Sequence, residues 1–352
     1  LIYVGGSMTG QFSEFMVSND ALDDPSELRS RMDDLGYLFF RKLQDPDKLL
    51  DLRKDILSTI QAGGWLVPGS NLIDGIADPS KRCTEGDSEY PAVYHEVYKL
   101  ESFHSAAHWA PVVDTMSKIV NGSAVPHPSK IARLWFPQFT DHTTPAHQDF
   151  VHFQGDFDTY TCWTPVGDCP RELGGLAIKP RTHKSRSVYD HHFSLGAGSL
   201  TVEGDDLEGD WLTTDYEIGD CLMFHSLTLH QALPNITEDR LRISLDNRYQ
   251  SLESPIGEFQ LVPHMSQIHP LPWDEVYANW ESTELQYYWL NMFDEIIPRD
   301  NSYADKGFTE ALSLATTGDD KAILKLRRTI TNNPYSDDAN AASAVLKDLD
   351  LL

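Results

Sequence analysis

The spacing of apolar residues changes period twice along the chain. From Pro25 to Ala62 it is helical: LRSRMDDL runs into GYLFF, read as a short strand, and DPDKLLDLRKDILSTIQA predicts an amphipathic helix stopped at Gly63-Gly64. Residues 66–92 are dense in Gly, Pro, Ser and Asp and predict a long loop, while SFHSAAHWAPVVDTMSKIV predicts a second helical stretch ending at Asn121-Gly122. Between Lys130 and Gln250 the pattern becomes short runs of β-branched and aromatic residues divided by turn residues: KIARLWFP, TYTCWTPV, GGLAIKP, GSLTVEG, GDCLMFH and RLRISLDNRY. Strands of this number and spacing predict an antiparallel barrel or jelly roll. Helical spacing returns after Glu253, through PWDEVYANW, STELQYYWLNMFDEII, TEALSLATTGDDKAILKLRRTI and DANAASAVLKDLDLL. The aromatic-rich stretch 280–293 is read as core. The pattern gives a mainly β domain with flanking helices over residues 11–261, its barrel at about 130–250, and a helical extension over 262–352 packed on the outside of the barrel.

Charge narrows the partners. With 28 Lys and Arg against 54 Asp and Glu, the formal charge is −26, which works against binding a polyphosphate backbone, so no nucleic-acid partner is expected. The same excess favours a small or mid-sized substrate that is neutral or cationic, or is a solubility adaptation. The four cysteines, Cys83, Cys162, Cys169 and Cys221, form no C-x-x-C pair and are sparse for the length, so neither a zinc site nor a disulfide framework is indicated and a reducing, cytoplasmic location is expected. The opening LIYVGG lacks a basic flank, and no stretch approaches a membrane span, so no membrane role is expected.

The segment TPAHQDF carries His147-x-Asp149. On an extended strand these two side chains share a face, so one short element could offer a metal two ligands. Alone, that pattern arises easily by chance. Further along, GDCLMFHSLTLHQALPNITEDRLRISLDNRY carries His225 and His230 on one predicted strand and leads through a turn into another that bears Arg240, Arg242 and Arg248. Two His and one carboxylate on one face of an octahedron leave three positions open, the arrangement of non-haem Fe(II) oxygenases. A 2-oxo acid would fill two of these and O2 the third. The distal carboxylate of the 2-oxo acid then calls for a planar, permanent cation, which an Arg supplies.

Here the chain resembles the phytanoyl-CoA dioxygenase family of Fe(II)/2-oxoglutarate-dependent oxygenases, in its natural-product tailoring branch. The resemblance spans roughly residues 30–250 and rests on GYLFFRKL, HQD at 147–149, CW at 162–163, GDCPRELGGLAIKPRTHK at 167–184, and H-x4-N-x-T followed by Arg at 230–242. It implies a double-stranded β-helix, cupin-like in form, with Fe(II) held by His147, Asp149 and His230. It also implies 2-oxoglutarate beside Gln148 and Trp163, with Arg242 as its carboxylate anchor. Where relatives often carry Ser two residues beyond the distal His, this chain has Ala232. The implied reaction is oxidation of a C–H bond in a metabolite, foremost hydroxylation, with desaturation, ring closure and endoperoxide formation as the alternatives, consuming O2 and releasing succinate and CO2. Counting from His230 leaves Arg240 as the other candidate anchor. Arg242 lies further into the strand, on a face shared with Ser244, Asp246 and Arg248, whereas Arg240 follows Glu238-Asp239 in the turn.

Plainer roles suit the remaining candidates. Five positions before His230, His225 would point to the other face of a shared strand and serve as scaffold. His142 and His152 read as surface or loop residues, although His152 is near enough to HQD to touch substrate. His183 and Lys184 suit a rim, and Arg133 suits equally an internal ion pair or a ligand contact. Two other functions fit the same pattern: a zinc-dependent hydrolase on the same ligands, which leaves the Arg-bearing strand without a purpose, and a non-catalytic jelly-roll binding protein.

Overall fold

The computed structural model describes residues 12–352, together with the backbone of Ile2–Val4 and Ser7–Thr9, which pair as an antiparallel hairpin. Ten strands form two sheets: β1 (Phe12–Ser13), β2 (Tyr37–Phe40), β3 (Ala124–Pro126), β4 (Ile131–Trp135), β5 (Tyr160–Pro165), β6 (Leu176–Ile178), β7 (Trp211–Leu212), β8 (Cys221–His225), β9 (His230–Ala232) and β10 (Arg242–Ser251). The larger sheet runs β2-β8-β5-β10-β3, with β4 also on β10, and the smaller runs β9-β6-β7-β1. Apart from the parallel β1–β7 pair, the pairings are antiparallel. Two packed sheets in this arrangement are the expected jelly roll.

The alternation along β10 shows why the sheets pack as they do. Leu241, Ile243 and Leu245 turn outward into an apolar core shared with Ala132 and Leu134 of β4 and with the helices Pro46–Ala62 and Tyr90–Tyr98. Arg242, Ser244, Asp246 and Arg248 turn into the space between the sheets. Each row is buried, so a slip of one residue would exchange charged and apolar faces. Helix Pro25–Leu35 is set by its ends: Asp24 caps it by accepting from the Ser26 and Glu27 amides, and Gly36 ends it at φ 79°. Any side chain at Gly36 would meet the His183 ring at 2.4 Å, so this glycine lets the segment entering β2 lie flat against the loop after β6.

Several expectations change. The predicted helical stretch over 102–120 is two helices, Glu101–Ala106 and Ala110–Ile119, divided ahead of Pro111. Helix Tyr90–Tyr98 begins inside the expected loop. LTV at 200–202 forms a strand, but in a separate hairpin with His191–Phe193. STELQYYWLNMFDEII is a run of turns ending in the two-residue strand Ile296–Ile297; its aromatics do join the core, with Trp289 buried beside Trp273 and Tyr277. Beyond it come three helices, Ser302–Thr316, Asp320–Asn332 and Asp337–Asp348. They pack on one another and on Phe193 through Ala311, Ala315, Ala322, Leu326, Ala342 and Leu346. Among the described residues, no helix is long and apolar enough to cross a membrane.

Candidate metal and cosubstrate site

His147, Asp149 and His230 converge at the mouth of the barrel, all buried, with ligand atoms within 4.8 Å of one another. The two histidines pair through reciprocal backbone hydrogen bonds of 3.0 and 3.1 Å and bring their rings to 4.2 Å between centroids. Asp149 reaches the same point by a different route from the one expected. His147 makes only an isolated bridge, and the chain turns at Asp149 into the short helix Phe150–Phe153. The H-x-D pair thus sits on a corner between extended chain and helix. One Asp149 oxygen, Oδ1, stands 3.5 Å from Nε2 of each histidine.

Neighbouring groups fix these side chains. His147 Nδ1 is 2.8 Å from the Pro145 carbonyl and His230 Nδ1 is 3.0 Å from that of Thr228. A carbonyl only accepts, so each Nδ1 carries a proton and each Nε2 points inward toward Asp149. Thr161 donates to Asp149 Oδ2 at 2.5 Å, and Arg248 Nη2 lies 3.4 Å from both oxygens. Burial opposes the charge on Asp149, but Arg248 and the two histidines outweigh it and hold the carboxyl well below its usual range. Burial, with His230 adding to it, lowers the basicity of His147. Two imidazoles and a carboxylate, each oriented by a second group, are a donor set suited to Fe(II).

A narrow cleft of about 30 Å³ leads from the triad into the barrel, lined by Trp135, Trp163, Ala232 and Arg242 among others. Arg242 is 2% exposed, bonds only to Ser244 Oγ at 2.7 Å, and leaves Nε without a partner. Burial pushes its pKa down to about 10, so the guanidinium remains charged at neutral pH. Trp135, opposite Arg242 in the β4–β10 register, also leaves its indole N–H unpartnered there. Sequence reasoning missed Trp135, although it stands two residues from Arg133 on the same strand face.

The other candidates fall on both sides. Trp163 lines the cleft, its ring 4.7 Å from that of Tyr216. Gln148, expected beside the cosubstrate, points the other way: its Nε2 donates to Ser187 and Leu227 carbonyls and its Oε1 accepts from the Tyr189 amide. The corner that turns His147 and Asp149 inward turns the residue between them outward, and Gln148 ties loops together. Arg240 lies outside the cleft in an exposed pair with Glu172 at 3.2 Å. His225 and His230, expected on one strand, belong to β8 and β9 in different sheets, separated by the turn at 226–229. His225 is scaffold, bonded to Asp158 at 3.0 Å. His183 and Lys184 bind Asp33 and Asp34. Arg133 pairs with Asp246 and Glu85.

His142 and His152, expected at the surface or in loops with His152 near enough to touch substrate, are both turned inward. His142 is buried against Arg328. His152 has a buried Nε2, sits 5.4 Å from the His147 ring, and lines a cavity of about 560 Å³ that begins at His147 and Asp149. The far wall of this cavity comes from the C-terminal helices, through Phe308, Lys325 and Thr329. The extension expected on the outside of the barrel therefore closes the space above the triad.

The chain is similar to several known proteins. The chain is 25% identical over 266 residues to a 1-deoxypentalenic acid 11-beta-hydroxylase of Streptomyces arenae, covering 73% of this chain and 92% of the relative. A hydroxylase of the same name from Streptomyces exfoliatus is 23% identical over 265 residues, with the same coverage. Among solved structures, the apo form of the non-heme monooxygenase ThoJ superposes with a TM-score of 0.48 at 12% identity, over 91% of this chain and 99% of that one. The model of the phytanoyl-CoA dioxygenase family matches residues 32–244, a span that contains both histidines, the aspartate and the unpartnered arginine. The protein thus belongs to the phytanoyl-CoA dioxygenase family and is an Fe(II)- and 2-oxoglutarate-dependent oxygenase.

Proposed function

We propose that His147, Asp149 and His230 hold the iron, that Arg242 grips the distal carboxylate of 2-oxoglutarate beside Trp163, and that the enzyme hydroxylates a small or mid-sized metabolite lodged in the larger cavity. The observation that carries the cosubstrate assignment is Arg242 itself. Several arginines approach the barrel interior, but Arg133 is paired with Asp246 and Glu85, and Arg248 with Asp149. Arg242 alone of these is a buried cation without a carboxylate, and such a charge is costly unless a ligand completes it. Arg240, in its exposed pair with Glu172, has no part in this assignment, and Gln148 acts by holding the loops behind the triad.

With iron bound, the metal and 2-oxoglutarate would use O2 to oxidise a C–H bond, one oxygen atom going to the substrate and the other to the succinate formed with CO2 from 2-oxoglutarate. The chain's residues do the rest. Pro145 and Thr228 carbonyls keep the imidazole protons on Nδ1, and Thr161 and Arg248 keep Asp149 ionised and aimed. Asp149 supplies the third protein ligand. The cleft and the cavity share His147, Asp149, Arg133 and Arg248, so cosubstrate and substrate approach the triad from different sides. At about 560 Å³ the cavity has the size of an ordinary small-molecule site. The C-terminal segment 262–352 acts in this reading as part of the substrate chamber, and its aromatic run as core. The cytoplasm suits an enzyme whose four cysteines are all buried and free. The test is succinate release from 2-oxoglutarate, with Fe(II) and O2 required. Turnover with zinc alone, or none with iron, would remove the reading.

A further inference from the structure

The larger cavity is unusual for so acidic a chain. Its apolar wall, including Phe153, Phe193, Leu200, Met265 and Phe308, is joined by five basic residues but only three acidic ones, Glu85, Asp149 and Asp338. Three of the cations are neutralised: Arg133 by Glu85, Arg248 by Asp149, and Arg328 by Asp87. Two are not. Arg299 lies over the Phe259 ring at 3.8 Å with its Nε buried and unpartnered. Lys325 bonds only to the Ser199 hydroxyl, at 3.2 Å. The carboxylates nearest in effect, Asp338 for Lys325 and Glu258 and Asp305 for Arg299, form no ion pair with either among the described residues.

Helix Asp320–Asn332 is built to aim Lys325 inward. Lys325, Arg328, Thr329 and Asn332 follow at i, i+3, i+4 and i+7, one helix face, and all four line the cavity. Arg328 is held by Asp87, and Asn332 donates to the Gly86 carbonyl at 2.8 Å, so the face is docked on the loop at 86–87 one and two turns beyond the Lys325 ammonium. We propose that Lys325, with the Ser199 hydroxyl beside it, is the subsite for a carboxylate of the substrate, and that the substrate is a carboxylic acid with an apolar body. An ammonium and a hydroxyl 3.2 Å apart on one wall can both donate to one carboxylate. Arg299 adds positive field at a separate point. Burial depresses the basicity of both cations, as it does wherever a charge lacks its partner. The acid is drawn to this cationic chamber in a chain of net charge −26, which replaces the neutral or cationic substrate that overall charge suggests. The inference rests on the proposed function, because the cavity is taken to be that enzyme's substrate site.

The test is calorimetric titration of the metal-free full-length protein with decanoate, decan-1-ol and decyl phosphate. Decanoate should bind about tenfold or more tightly than the alcohol, the increment expected of a charge-assisted hydrogen bond. Lys325→Met should remove most of that preference and leave alcohol binding unchanged, which also shows that the cavity is intact. Ser199→Ala and Arg299→Gln should reduce it by smaller factors, and Lys325→Arg should retain it. Equal binding of acid and alcohol, no binding of the acid, or a preference that survives Lys325→Met would overturn the proposal; tighter binding of decyl phosphate than of decanoate would overturn the carboxylate in favour of a phosphate. Because no metal is present, each of these results leaves the iron assignment standing, and the triad variants test that separately.

Discussion

Replacing Arg242 with Ala separates the two sides of the oxygenase site. In the free protein Arg242 has one hydrogen bond, to Ser244, and no ion pair among the described residues, so its removal breaks no existing carboxylate contact and relieves a desolvated charge. The fold should survive. What disappears is the cation awaiting 2-oxoglutarate, and hydrogen bonds to a charged group contribute about 1.5–3 kcal/mol, or roughly tenfold to 150-fold in the 2-oxoglutarate requirement. The loss should also appear without turnover. Cosubstrate at a hundred times its dissociation constant stabilises a protein by about 2.7 kcal/mol, and a thirtyfold weaker site would leave about 0.9 kcal/mol at the same concentration. Arg240→Ala is the control: its exposed pair with Glu172 has little energetic worth and lies outside the cleft. Titrating 2-oxoglutarate against uncoupled succinate release, with melting curves in parallel, reads both quantities. An unchanged requirement in Arg242→Ala together with an increase in Arg240→Ala would refute the reasoning and move the anchor to the turn.

Three further outcomes can be checked. Thr161→Val deletes the 2.5 Å donor to Asp149 Oδ2 and should weaken Fe(II) binding by about tenfold or more, read by competition with a chelating dye; unchanged affinity would show that Thr161 does not orient the ligand. His127, 1% exposed between Gln250 and Gln260, has its pKa lowered to about 4 by burial, below the unfolded value of about 6.5. The unfolded chain therefore binds the extra proton, and the contribution of His127, full above the unfolded value, is lost as pH falls toward 4. Urea unfolding near pH 5 should then have a slope about 1.2 kcal/mol per pH unit shallower in His127→Gln than in wild type, and equal slopes would contradict the burial argument. With Asp149 in the third protein ligand position, as proposed, the native enzyme in chloride buffer should give oxygenated or desaturated and no chlorinated product by mass spectrometry, and a chlorinated product would remove Asp149 from the metal.

How much of this was legible in the sequence depended on whether the deciding signal was local. Period-two alternation in RLRISLDNRY placed Arg242 and Arg248 inward and Leu241, Ile243 and Leu245 outward, and β10 keeps that alternation because both faces are buried. Where the chain bends, the expected strand is absent: His147 makes an isolated bridge and Asp149 turns into a short helix. Gln148 is placed beside the cosubstrate by the family resemblance alone, whereas its side chain, between two inward ligands, points away and bonds to the backbone of Leu227 and Tyr189. His225 was correctly read as scaffold for an incorrect reason, since a turn sends it and His230 to different sheets. The aromatic run 281–297 has helical apolar spacing but folds as turns, because tertiary packing of Trp289 and Tyr288 overrides local pattern. Lys325 sits in an unremarked amphipathic helix, and nothing near it in sequence signals that it faces residues 125 or more positions earlier.

The most direct test of the central assignment is anaerobic calorimetric titration of Fe(II) into wild type and into His147→Ala, Asp149→Ala and His230→Ala, with circular dichroism confirming that each variant is folded. Stoichiometric uptake by wild type, and loss of it in all three folded variants, is the expected result. Tight stoichiometric iron in any one of them would contradict the triad at that residue.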